Sequence, residues 1–70
     1  MRITCKQYAS FRGFKTERFV QHCAAANKVQ SLPGVVQIIA ATGAGHRWYE
    51  LELDAPTEIL YNEFLTSKNN

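Results

Sequence analysis

VVQIIAATGAGHRWYELEL, residues 35–53, is the stretch that decides the fold of this chain. It opens with VVQIIAAT, β-branched and apolar with one polar break at Gln37, the composition of a largely buried strand. Thr42, Gly43, Ala44 and Gly45 follow, with glycines able to take the positive φ that a tight hairpin turn needs. HRWYELEL then alternates. Because strand side chains repeat every second residue, Tyr49, Leu51 and Leu53 share one face, while His46, Trp48, Glu50 and Glu52 share the other. The first set reads as core and the second as solvent-facing. On the preceding strand, Val36, Ile38 and Ala40 are the expected core positions. Val35, Gln37, Ile39 and Ala41 are then left beside Trp48.

Seventy residues make one domain at most. A chain of that size buries about 60% of its unfolded surface, so its stability is expected to be modest. Apolar residues at 46% and charged residues at 20% are ordinary for a folded domain and argue against disorder. A net charge of +2 is too small to imply a nucleic-acid partner by itself. Apolar runs fall far short of the roughly 20 residues of a membrane span. Met1 and Arg2 lead at once into polar Thr4, Lys6 and Gln7, unlike a secretory signal, so a cytoplasmic location without a membrane partner is expected. Cys5 and Cys23 form no disulfide framework and read as two free thiols.

Outward from the hairpin, residues 1–8 alternate weakly and predict a strand, with Ile3 and Cys5 opposite Arg2, Thr4, Lys6 and Tyr8. Residues 9–15 read as a connector carrying Phe11 and Phe14. Thr16 is the expected N-cap of a helix over 17–31, in which Phe19, Val20, Cys23, Ala24 and Ala26 recur at helical spacing. Pro33 and Gly34 stop it. Asp54 and Pro56 signal a second helix, packed through Leu60, Tyr61, Phe64 and Leu65 and ending near Ser67, with Lys68, Asn69 and Asn70 fraying.

The predicted order is β-α-β-β-α. It makes an α+β, two-layer sandwich, with a three-stranded antiparallel or mixed sheet and both helices on one face. The hairpin's second strand is expected in the middle. In topology alone this resembles a ferredoxin-like plait lacking the last strand. Trp48 then sits near the centre of the uncovered face, between Ile39 and Gln37 on one side and Lys6 or Tyr8 on the other. The outer edge of residues 3–8 is expected to present unpaired backbone groups.

Little here carries reaction chemistry. Cys5, His22, Cys23 and His46 are the only soft ligands and lack the close pairs of a zinc site, so no metal or cofactor is expected. Gly43, Ala44 and Gly45 enter a strand rather than a helix, which suits a hairpin turn and not a phosphate cradle. Glu50 and Glu52 share a face without a shielding pocket, and read as solubilising or partner-contacting charge. No nucleophile–base pair can be placed, so the chain does not read as an enzyme.

What remains is a protein-binding module with Trp48, Ile39, Tyr8, Val35, Glu50 and Glu52 as its contact surface. Its expected partner is a larger protein or complex, or a second copy joined through the sheet edge or face. Small chains of this kind are often inhibitors or accessory proteins, including phage-encoded, anti-CRISPR-like blockers of host machinery. That expectation rests on size and on no residue. The alternative is a nucleic-acid-binding domain using the basic N-terminal half: Arg2, Lys6, Arg12, Lys15 and Arg18.

Overall fold

A computed structural model describes residues 1–68; the expectation for Asn69 and Asn70 lies outside the described residues. Ala44 and Gly45 take φ of 52° and 78°, the pair of positive angles that a two-residue type I′ turn requires. That turn joins β2 (Val35–Gly43) to β3 (His46–Leu53), with Gly43 opposite His46. On its other side β3 pairs antiparallel with β1 (Arg2–Thr4). The sheet is therefore wholly antiparallel in the order β1-β3-β2, with the hairpin's second strand in the middle as the sequence predicts.

The ladder between β2 and β3 slips once. Val35 faces Leu53 and Gln37 faces Glu52, so Val36 is an extra residue in a bulge. The slip reverses two side chains. Val35, expected on the open face, is only 6% exposed and belongs to the core, while Val36, expected in the core, is 58% exposed. Beyond the bulge the expected phase returns, with half-buried Ile38 opposite Leu51 and packed against the core.

The N-terminal third departs most from the predicted pattern. β1 stops at Thr4, and α1 (Cys5–Arg12) replaces both the rest of the predicted strand and the start of the connector. The cause is a reciprocal cap. Gln7 N–H donates to Thr4 Oγ1 at 3.1 Å, and Thr4 N–H donates to Gln7 Oε1 at 2.8 Å. Gly13, at φ 79°, closes the helix in the left-handed conformation.

The predicted helix over 17–31 is shorter. α2 (Arg18–Ala25) begins after Glu17, which makes no side-chain cap, and Thr16 does not serve as one. Asn27 turns left-handed at φ 54°, and Lys28 N–H returns to the Cys23 carbonyl at 2.8 Å, ending the helix before a single 3-10 turn at Val29–Ser31. Asparagine tolerates that conformation better than most residues, and here it overrides the helical preference of the alanines.

α3 (Ala55–Lys68) starts where expected, with Thr57 N–H donating to Asp54 Oδ1 at 2.8 Å. Hydrogen bonding from the Thr57 side chain, and then from its backbone N–H, holds the Asp54 carboxyl below its ordinary range. Its packed positions are Thr57, Tyr61 and half-buried Phe64, while Leu60, read as core, is 53% exposed.

Among the described residues, buried side chains from the strands and from α1, α2 and α3 make a core cluster. Ile3, Val35, Leu51 and Leu53 from the strands meet Tyr8, Val20, Cys23, Leu32 and Tyr61. An aromatic seam strengthens it, with Phe11 edge-on to Tyr61 and Phe64 at 5.3 and 5.6 Å between ring centres. Tyr8 OH and Arg12 Nη2 both donate to the Pro33 carbonyl, at 2.7 and 2.8 Å, pinning α1 to the loop before β2. Next to that carbonyl, Gly34 has φ 84°, and a β-carbon there would land on the side chain of Thr57. Gly34→Ala combines left-handed strain with that collision. We expect it to destabilise the fold by about 2–4 kcal/mol in urea titration; a loss under about 0.5 kcal/mol would show that the loop relaxes freely.

Candidate functional site

Alternation in β3 sends Trp48, Glu50 and Glu52 to the side of the sheet away from the core cluster. Gln37, Ile39, Ala41 and Gly43 of β2 share that side by register. Trp48 lies opposite Ala41 and is 38% exposed. Its ring leans over Gly43, where an added β-carbon would come within 3.0 Å of the indole Cη2, so the missing side chain makes room for the aromatic face. At its other end the indole Nε1–H donates to Glu50 Oε2 at 3.0 Å. The ring is thus held between a glycine and a carboxylate.

Electrostatics separates the two glutamates. Glu52 Oε2 lies 2.6 Å from the Met1 amine, and Glu52 Oε1 accepts from Arg2 Nε at 3.4 Å. Hydrogen bonding to the amine, helped by Arg2, holds the Glu52 carboxyl below the usual carboxylate range. Glu50 has the indole as its partner instead. The face therefore offers an aromatic ring, half-buried Ile39 and Ala41, and one acceptor already engaged by Trp48.

Two residues expected in this surface are elsewhere. Tyr8, on α1, is fully buried in the core with its hydroxyl on Pro33, because the Thr4 cap turns the chain into a helix four residues earlier. Val35 is turned into the core by the bulge. Trp48, Ile39, Glu50 and Glu52 do share the face. Nor do Lys6 and Tyr8 flank Trp48 as strand neighbours. The β1 ladder ends at Thr4 opposite Glu50, leaving residues 46–49 with β2 alone beside them. A cleft of about 330 Å³ adjoins that end, lined by Thr4, Cys5, Glu17, Gln21, Arg47 and Trp48 among others.

The five basic residues do not form one surface. Arg2 is on the open face with Glu52. Arg12 folds back on Pro33 and lies 4.7 Å above the Phe11 ring, a structural position unlike the free cation expected. Lys6, Lys15 and Arg18 do come together, lining a groove of about 550 Å³ between α1 and α2 with Phe14, Glu17 and Gln21.

Among the described residues no group of three or more His, Cys, Asp or Glu could hold a metal ion, and no helix is long and apolar enough to cross a membrane. Cys5 and Cys23 are buried and unpaired. Burial pushes the Cys5 thiol above its ordinary pKa, with nearby Glu17 adding to the effect. Sequence reading missed the cap on α1, although Thr4 and Gln7 have the T-x-x-Q spacing of a capping box. It also missed Gly43 as the bed of the indole, which has no local signature.

The chain matches no family model, and comparison with curated proteins and with solved structures returned no similar protein.

With Cys5 only 4% and Cys23 only 2% exposed, a thiol-specific reagent should modify them on the order of a hundredfold or more slower in the folded protein than in denaturant. Equal rates in the two conditions would place the cysteines on the surface.

Proposed function

We propose that this chain is a non-enzymatic docking module whose helices all cover one side of the sheet, in a ferredoxin-like plait without its last strand. The opposite side receives a larger protein at Trp48, near the hairpin end of the sheet. The observation that carries the proposal is the partly exposed indole, held in one orientation by Gly43 and Glu50 with half-buried Ile39 and Ala41 beside it. Completing the burial of such a ring contributes on the order of 1–2 kcal/mol by area. Its fixed orientation lowers the entropy lost on docking. Aromatic anchors of this kind dominate protein interfaces. The matching partner surface is an apolar pocket with a donor near its rim for the second oxygen of Glu50. An inhibitor or accessory role fits such a module, and its phage-encoded form is the version suggested by size alone.

Trp48→Ala should abolish capture of the partner while lowering the folding free energy by less than about 1.5 kcal/mol. Because Trp48 is the only tryptophan, docking of the unaltered chain should also blue-shift its intrinsic fluorescence. Undiminished capture by a folded Trp48→Ala protein would remove the open face as the site.

One arrangement favours a second reading, recognition of a nucleic-acid backbone. Lys6, Lys15 and Arg18 converge on the groove between α1 and α2, and no ion pair within 4.0 Å engages any of them among the described residues. Three phosphate contacts would make log K fall with log salt at a slope of about −2 to −3. Oligonucleotide titrations at low and moderate salt measure that slope; flat titrations at low salt would end this reading.

A further inference from the structure

The order β1-β3-β2 leaves the sheet two edges of very different character. The β1 edge is three residues long, carries Arg2, and has its Thr4 amide occupied by Gln7 Oε1. Short length and charge are the devices by which proteins blunt an edge against pairing. The β2 edge has neither. It is nine residues long, VVQIIAATG, without proline or charge, and no Asp, Glu, Lys or Arg occurs between Lys28 and Arg47.

Register tells which backbone groups are free. In an antiparallel ladder alternate residues bond to the partner strand, and the pair flanking a two-residue turn is a bonded pair. Gly43, Ala41 and Ile39 therefore turn their amides and carbonyls towards His46, Trp48 and Glu50. Ile38, Ala40 and Thr42 direct theirs outward, where no strand lies among the described residues.

We propose that β2 pairs antiparallel with β2 of a second copy of this chain. The usable run lies between the bulge at Val36 and the turn at Ala44, residues 37–43, and its midpoint is Ala40. A two-fold axis there sets Ala40 against Ala40 and Ile38 against Thr42, which matches every outward group of one edge to one of the other. Isologous pairing of this kind closes as a dimer. Self-pairing brings no like charges together, since the run has none. Ala40, exposed and small, gives the axis room for close approach. The axis is perpendicular to the sheet, so the dimer is a continuous six-stranded layer with both Trp48 faces on the same side. A partner docking there would meet two anchors. The pairing itself does not depend on Trp48.

Sedimentation of the full chain, with amide exchange by NMR, tests this. The unaltered protein should sediment as a dimer, and the Ile38, Ala40 and Thr42 amides should exchange slowly when concentrated and faster on dilution. Ala40→Lys and Ala40→Glu should each be monomeric, because like charges then meet at the axis, and an equimolar mixture of the two should restore the dimer. Trp48→Ala should remain dimeric, which separates this surface from the docking face. A monomer up to about 1 mM, rapid exchange of the three amides at every concentration, or a mixture that stays monomeric would overturn the proposal.

Discussion

Two hydrogen bonds between Thr4 and Gln7 decide where the first strand stops, and most of the architecture follows from that point. An extended chain through residue 8 would have sent Tyr8 out with the alternation. Once helix begins at Cys5, Tyr8 comes round onto the core and its hydroxyl reaches the Pro33 carbonyl. Arg12, one helical turn later, reaches the same carbonyl and covers the Phe11 ring. The loop before β2 is thereby fixed to α1, and Gly34, against Thr57, ties it to α3. These contacts lie far apart in sequence but adjoin one small loop, which is how a short chain holds three helices with a limited core.

The same cap sets the shape of the sheet. Because β1 is short, β3 has a strand on both sides only over its second half, and the half carrying Trp48 relies on β2 alone. The indole lies at this thin end, resting on Gly43 and bonded to Glu50. A glycine in a strand normally weakens it, and an aromatic ring laid across the gap restores packing there. One contact thus steadies the hairpin end and fixes the ring in place.

Charge follows the fold more than the sequence. The basic N-terminal half is scattered once Arg2 pairs with Glu52 and Arg12 is used structurally, leaving three cations around one groove. The uncharged stretch on β2 is instead gathered along one edge, where its lack of charge has a physical consequence it would not have in a central strand.

The sequence by itself determined the hairpin, the central place of its second strand, the α+β class and the outward direction of Trp48. The hairpin and the direction of Trp48 depend on period-two alternation and turn chemistry, both local properties of residues 35–53. The class and the central strand follow from the order of strands and helices along the whole chain. Asp54 as the cap of α3 was equally legible, since a cap acts within one turn. Only the tertiary structure decided that Val35 and not Val36 enters the core, because a bulge is chosen by how a strand fits the layer beneath it. Tertiary packing also left Leu60 outside although its neighbour Tyr61, read as packed, is buried, since an apolar residue's neighbours, and not its type, determine whether it is buried.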